Sequence, residues 1–408
     1  MTKITLLSPV HVGTGQMVEP VCYRISNGTG FRYTLADIAG AMKNPASLLD
    51  KSVLNRIIQA DSKAEYYQIF GQSDIKARPL YKLEWKTGKD IYGSQNTQKK
   101  GSSGGSSVMI HEQIKALGKP VIPGSSLKGA LECAFKYNYL KQHLNQIRNN
   151  LGMIADEKKL YKDRTPDTFL LSMVYGLSRN EIRRGDYEEF LKRLYGCLRV
   201  NDLQFERMVM LELDRRNQDS SNKDLPMGLA ECISQNDVCK TDCLFEIQTE
   251  LVNNLKYEFL NGKNPPFVQE IYQELIDSFC SEKALKTAVR TYIKDMMESE
   301  DDDAYADDDH VIRKEVNQAA ESQDSLIIRI GAYTGYFYKT VSWLFKKSFP
   351  TFYENDFYDF FSPVKFNPNK KGRPVPTPEN MPRSVAILSS HQNGAEQGYL
   401  PGFIKVEL

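Results

Sequence analysis

No apolar run in this 408-residue chain approaches the ~20 residues that cross a bilayer. Its first twenty residues also lack the basic start, apolar core and cleavage site of a secretory leader, so a cytoplasmic location is expected. Cysteine is sparse, with seven residues at irregular spacings, which points to reduced thiols rather than a disulfide framework. Cys232, Cys239 and Cys243 are separated by six and three residues, not by the two-residue knuckles of a zinc site. No metal and no other cofactor is therefore expected. Cys239 and Cys243 instead read as buried thiols on one face of a strand over 239–248. Histidine is scarcer still. His11, His111, His143, His310 and His391 lie far apart, whereas RNA cleavage by 2′-hydroxyl attack needs a base, an acid and charge stabilisation in one place.

Net charge is almost absent, 53 basic against 52 acidic side chains. The distribution is uneven. Residues 295–309 hold nine acids and no Lys or Arg, and without them the remainder carries +10. Such a run is expected to be a solvated, mobile segment on a moderately basic body. Two phosphate-binding or acylating signatures are also missing. There is no Gly-Lys-Ser/Thr ending for a Walker A loop, and Lys86-Thr87-Gly88 precedes Ser125-Ser126-Leu127-Lys128, the reverse of penicillin-binding enzymes, with no Ser-Asp-Asn anywhere.

What is present begins with Val121-Ile122-Pro123-Gly124-Ser125-Ser126-Leu127-Lys128-Gly129-Ala130-Leu131. An apolar strand turns through Pro-Gly into a helix start that Ser125 or Ser126 can cap. The free N–H groups there, the helix dipole and the Lys128 ammonium suit a phosphate or carboxylate. A second glycine loop, Ser8-Pro9-Val10-His11-Val12-Gly13-Thr14-Gly15, follows the strand around Ile4-Thr5-Leu6-Leu7. Its glycines allow close approach of the backbone to a ligand.

Periodicity and turn residues predict strands at 2–8, 20–26 and 30–35, the last two joined by a turn at Asn27-Gly28-Thr29-Gly30. Helix is predicted at 36–41 and 45–60, a strand at 78–86, and a Gly/Ser-rich loop ending at Ser107. A helix at 126–147 and a helical region at 155–195 lead to strands at 197–205, 207–214, 226–234 and 239–248. Residues 255–322 are mostly helical. A strand at 326–330, a helix at 333–347, a Pro-rich loop at 363–382 and strands at 384–389 and 402–407 complete the pattern. Helices interleaved with short strands predict an α+β fold. Its first lobe spans 1–250 with a helical insertion at about 140–195, and its second spans 251–408.

The pair Leu-Ser-Pro-Val-His-Val-Gly-Thr-Gly near residue 10 and Ile-Pro-Gly-Ser-Ser-Leu-Lys-Gly-Ala-Leu near residue 125 resembles the signature of the RAMP superfamily of CRISPR-associated proteins. Within it, the chain is most similar to the family of fifth Csm subunits of type III-A effector complexes. Leu326–Gly331 with Gly335, Lys339 and Thr340, and the tail around Arg383 and Gly398–Val406, extend the likeness in patches along the chain. The resemblance implies two ferredoxin-like (RRM-type) modules with helical insertions. It also implies a non-catalytic subunit that caps the 3′ end of crRNA and supports its maturation and target RNA binding. The partners implied are crRNA, target RNA, the adjoining backbone subunit, the small helical subunit and a host nuclease. Because no RNP1 aromatic string occurs, the RNA backbone would be gripped by glycine loops and basic side chains. On this carry-over His11, Gly13, Gly15, Ser125, Ser126, Lys128, Lys339 and Arg383 are the candidate RNA-binding residues. Two other classes stay open: a metal-independent endoribonuclease using His11 as general base, and a scaffold that contacts no RNA.

Overall fold

The structure, a computed structural model, describes residues 1–41, 75–89, 91, 108–156, 166–178, 181, 185–217, 225–298, 306–334, 339–357, 384–392 and 395–408. The predicted helix at 45–60, most of the Gly/Ser-rich loop and the Pro-rich loop at 363–382 lie outside these residues.

Alternation of apolar and polar residues in β1 (Thr2–Leu6) puts Ile4 and Leu6 on one face. They are joined there by Ile404 and Val406 of β18 (Phe403–Glu407) and by Leu326 and Ile328 of β15 (Ser325–Arg329). With β13 (Val238–Thr241) these strands form a wholly antiparallel sheet in the order β13-β1-β18-β15. All six side chains are buried in the largest core of the molecule. Helices complete that core. In α2 (Gly124–Gln142), Leu127, Leu131, Ala134 and Phe135 recur at helical spacing and are buried. It packs against α8 (Glu282–Met297), which with α9 (Asp309–Glu321) covers β15.

A second sheet runs β2-β6-β12-β11-β5-β4-β3 and carries β16 and β17 beside β11. Its strands are β2 (Gly13–Val18), β3 (Tyr23–Ser26), β4 (Thr29–Arg32), β5 (Tyr81–Trp85), β6 (Ile110–Gln113), β11 (Met208–Asn217), β12 (Leu225–Ile233), β16 (Ser384–Gln392) and β17 (Ala395–Tyr399). One face buries Tyr23, Leu83, Ile110, Met210 and Leu229. The other buries Val209, Leu211, Leu213, Ala230 and Leu388. The sheet forks along β11, whose early residues pair with β5 and whose later residues pair with β16. Lys86 to Lys89 fill the fork: Glu212 accepts from Thr87 Oγ1 at 2.8 Å and Gly88 N at 3.0 Å, and pairs with Lys89 at 3.0 Å.

This is the expected α+β class, in which helices alternate with mostly antiparallel strands, β5 and β6 alone among the described pairs running parallel to β11 and β12. Several expected boundaries move, for physical reasons. The long helix breaks at His143, whose Nδ1 lies 2.7 Å from the Tyr139 carbonyl, and resumes as α3 (Leu144–Asp156). The expected strand 239–248 is two strands. β13 pairs with β1, and β14 (Phe245–Ile247) pairs with β9 (Leu198–Val200). Cys239 and Cys243 therefore share no strand face, and Cys243 is exposed rather than buried. The helix expected from residue 333 begins only at Ser342, because residues 331–334 form a turn with positive φ at Gly331 and Tyr333.

The described ends of the acidic run differ from the solvated, mobile segment expected of it. Residues 299–305 lie outside the described part, but the flanking acids are tied into the fold. Asp295 accepts from Lys141 Nζ at 2.6 Å and Tyr137 Oη at 3.0 Å, and Glu298 pairs with Lys347 at 3.2 Å. Asp307 accepts from Gly398 N at 2.7 Å, Asp308 from Leu400 N at 3.0 Å, and Asp309 pairs with Arg313 at 2.6 Å. Burial raises the Asp308 carboxyl to about 7. These acids hold the chain between β17 and β18 against the start of α9.

Candidate nucleic-acid interface

The segment after β1 is held residue by residue. Leu7 N donates to the Phe403 carbonyl at 2.9 Å, Gly402 N to Pro9 O at 3.0 Å, and Val10 exchanges two backbone hydrogen bonds with Ile233. Ala332 N then donates to His11 O at 2.8 Å. Gly331 (φ 97°) passes so close to the His11 carbonyl that a Cβ there would collide with it. Tyr333 stacks on the His11 ring, centroids 5.2 Å apart, and His111 meets both rings edge-on. The glycine loop near residue 10 and the strand–glycine segment at 326–334 thus form one body with the β18 entry.

His11 is 2 % exposed, and its Nδ1 lies 2.6 Å from the Glu231 carbonyl oxygen. A Cβ on Gly13 would sit 2.8 Å from His11 Nε2, so Gly13 leaves room for the ring. Burial depresses the imidazole to about 4, against the opposing pull of the Glu231 carbonyl, so at neutral pH the ring is uncharged. Beyond Gly13 the loop emerges. β2 and β6 pair at Gly13↔Gln113 and Met17↔His111, so β2 spends two extra residues between these pairs. Thr14, Gly15 and Gln16 are exposed in that bulge, and Gly15 has φ 81° with open space where a side chain would go.

Two buried residues with no local sequence signature hold this loop. Gln113 accepts from Val12 N at 2.8 Å through Oε1 and donates to Val121 O at 3.0 Å through Nε2. It thereby fastens the first glycine loop to the strand that enters α2. Glu231, fully buried, accepts from Tyr23 Oη at 2.7 Å, Tyr81 Oη at 2.6 Å, Gln113 N at 3.1 Å and Lys115 Nζ at 2.7 Å. Lys115 also lies over the Tyr81 ring, 4.4 Å from its centroid. A buried carboxylate with four donors, one cationic, is compensated.

At the start of α2 the cap differs from expectation. Neither Ser125 nor Ser126 caps the helix: Pro123 is the N-cap residue, and the Asp202 carboxylate accepts from Gly124 N at 2.6 Å. The chain supplies its own anion to one of the free N–H groups. Gly124 is required by contact, since a Cβ would run into the Val200 carbonyl. Ser125 and Gly129 are exposed, Ser126 and Lys128 half-buried. Helical spacing places Ser125, Lys128, Gly129 and Glu132 on one stripe.

The structure thus brings six of the eight candidates into two segments that Gln113 connects: His11, Gly13 and Gly15, and Ser125, Ser126 and Lys128. Lys339 is exposed beyond the second glycine segment, its pKa lowered by partial desolvation and by the Arg329 charge. Arg383 lies outside the described residues. Among the described residues, no three of His, Cys, Asp and Glu are grouped to hold a metal ion, and no helix is long and apolar enough to cross a membrane.

A family model described as the RAMP superfamily matches residues 3–380. The fold matches a chain in the cryo-EM structure of a Csm–crRNA–target RNA ternary complex of a type III-A CRISPR-Cas system, over 100 % of both chains, with TM-score 0.59 and 16 % identity. The crystal structure of T. onnurineus Csm5 aligns over 85 % of this chain and 94 % of that one, with TM-score 0.47 and 17 % identity. No curated protein matches the sequence.

Proposed function

This chain belongs to the RAMP superfamily, and on that premise we propose that it is a non-catalytic crRNA-binding subunit of a type III-A Csm effector complex, capping the 3′ end of the guide. The observation that carries the reading is the connection through Gln113 of an exposed glycine bulge to a serine–lysine helix start that is exposed at Ser125 and half-buried at Lys128. Neither segment offers an aromatic base platform. The bulge offers exposed backbone at Thr14 and Gly15, and the helix start offers the Ser125 backbone and hydroxyl and, in Lys128, a cation, which suits contact with phosphates while the bases stay free to pair. In this reading Gly15, Ser125, Ser126 and Lys128 touch the RNA backbone, and His11 and Gly13 shape the loop. Lys339 and Arg383 add contacts farther along the strand. Neighbouring Csm subunits, target RNA and a host nuclease are the proposed partners, and the cytoplasm the proposed location. The two-lobe division near residue 250 is likewise a proposal.

The endoribonuclease alternative assigns His11 as general base. With its ring buried between Tyr333, Gly13 and Glu231, that residue has no face open to a ribose hydroxyl.

The test is binding of the purified protein to a guide-length RNA across a salt series, with the RNA assayed for cuts. Affinity should fall steeply with salt, and Lys128→Glu should weaken it about tenfold at low salt while the RNA stays intact. Salt-independent binding would favour the scaffold, and cleavage lost in His11→Ala would favour the enzyme.

A further inference from the structure

One buried acid in the fold is only half satisfied. Asp308, immediately before α9, is 5 % exposed, and its side chain does not cap that helix. Its Oδ1 accepts from Leu400 N at 3.0 Å, whereas Oδ2 is shielded from water and has no hydrogen-bond partner among the described residues. Glu231, by contrast, is buried with four donors. The groups around Asp308 are engaged elsewhere. Asp307 accepts from Gly398 N at 2.7 Å, Asp309 is paired with Arg313 at 2.6 Å, and His310 is exposed. On β15, Arg329 donates from Nε to Pro401 O at 3.0 Å and lies 4.6 Å from the centre of the Phe403 ring; it forms no ion pair with Asp308. The facing stretch 397–402 carries no charge, and the hydroxyl of Tyr399, its single titratable group, donates to Gln397 Oε1 at 2.9 Å.

We propose that Asp308 is a proton-operated latch, whose neutral carboxyl fastens Leu400 at the entry to β18 and whose ionisation loosens it. The basis is the difference between the two forms in one place. A neutral carboxyl keeps the bond to Leu400 N and leaves an unmet but uncharged oxygen; a carboxylate leaves unpaired charge out of reach of water, which costs far more. Burial accordingly raises the group to about 7, with the Arg329 charge opposing the rise and the Asp309 charge adding to it. Once the segment opens, a hydrated Asp308 ionises at about 3.9. Between these values the closed form holds one proton more than the open form. Closure is therefore favoured most below pH 4, is progressively lost as pH rises to 7, and changes little above it.

Backbone hydrogen bonds define what the latch holds. Beyond Leu400, Gly402 N donates to Pro9 O at 3.0 Å, Phe403 N to Ser8 Oγ at 2.9 Å, and Ile330 N to Gly402 O at 2.9 Å. The stretch from Leu400 to Phe403 thus lies between Asp308 and the first glycine loop, and protonation near neutral pH reaches the loop through it. None of this depends on what the loop binds.

The experiment is hydrogen–deuterium exchange of the full chain at pH 5, 6, 7 and 8, for the wild type and Asp308→Asn. Peptides covering Leu400 to Phe403 are read by mass spectrometry and corrected for the intrinsic pH dependence of amide exchange. Asparagine has the shape of the neutral carboxyl, retains an oxygen for Leu400 N and cannot ionise. Wild-type protection should fall relative to Asp308→Asn by up to about eightyfold between pH 5 and 8, most of it below pH 7. Groups common to both chains, His11 among them, cancel in that ratio. A fall that persists unchanged in Asp308→Asn would overturn the proposal. The wild type alone also tests it should the variant not fold: protection independent of pH over this range would overturn it equally.

Discussion

His11 is neutral in the folded chain at any pH above about 4, because burial withholds the water that would solvate an imidazolium. In the unfolded chain the same ring takes up a proton near pH 6.5. The unfolded state thus binds more protons between these values, and the stability this residue contributes is complete above pH 6.5 and lost as pH falls towards 4, by about 3 kcal/mol in all. Urea unfolding at pH 7, 5.5 and 4.5 should reveal that slope as the difference between wild type and His11→Gln, because Asp308, raised to about 7, contributes an opposite slope to both over the same range. His11→Gln should start from a lower stability, having lost the Tyr333 stack, and decline less steeply. Equal slopes would mean that His11 is hydrated. The histidine, its glycines and the serine–lysine turn were legible because their spacing is local. Gln113 and Glu231 were not. Each is an ordinary polar residue whose partners, Val12 and Val121 for one, Tyr23, Tyr81 and Lys115 for the other, lie mostly far away in sequence.

At the level of elements, α2 illustrates what pattern can and cannot convey. The spacing of Leu127, Leu131, Ala134 and Phe135 announces a helix and its buried face. The cap is invisible in that spacing, since it comes from Asp202, 78 residues away from Gly124. Asp202→Ala should lower stability by about 1 kcal/mol, the ordinary cost of an unmet N-cap, measured by denaturant midpoint at constant m. A change within error would mean that water or Ser125 takes over the N–H. The shift in the expected helix at 333–347 has a comparable origin: Gly331 and Tyr333 are fixed by contact with His11, and such a contact overrides local helical preference.

For the molecule as a whole, the decisive pairing is between residues some four hundred positions apart. β18 lies between β1 and β15 in the first sheet, and Phe403, Ile404 and Val406 are fully buried there. Each such side chain contributes ~1.5–3 kcal/mol of burial. Their sum is comparable with the ~5–15 kcal/mol margin of a typical domain. Deleting residues 403–408 should therefore abolish cooperative unfolding and near-ultraviolet dichroism rather than trim an edge. A truncated protein with a sharp thermal transition would refute that expectation. The α+β class was legible from alternating periodicities, but the strand order was not, because nothing in the pattern near residue 4 names a partner near residue 406.

The same arrangement sets the timing of biosynthesis. During translation, residues 7–13 leave the ribosome long before the Ala332, Gly402 and Phe403 groups that bond to their backbone are made. Until then the glycine loop has only its anchors from Gln113, Glu231 and Ile233. A chain that stops before residue 400 should therefore hold the loop less firmly than the finished one, and compete less well for whatever the finished site binds.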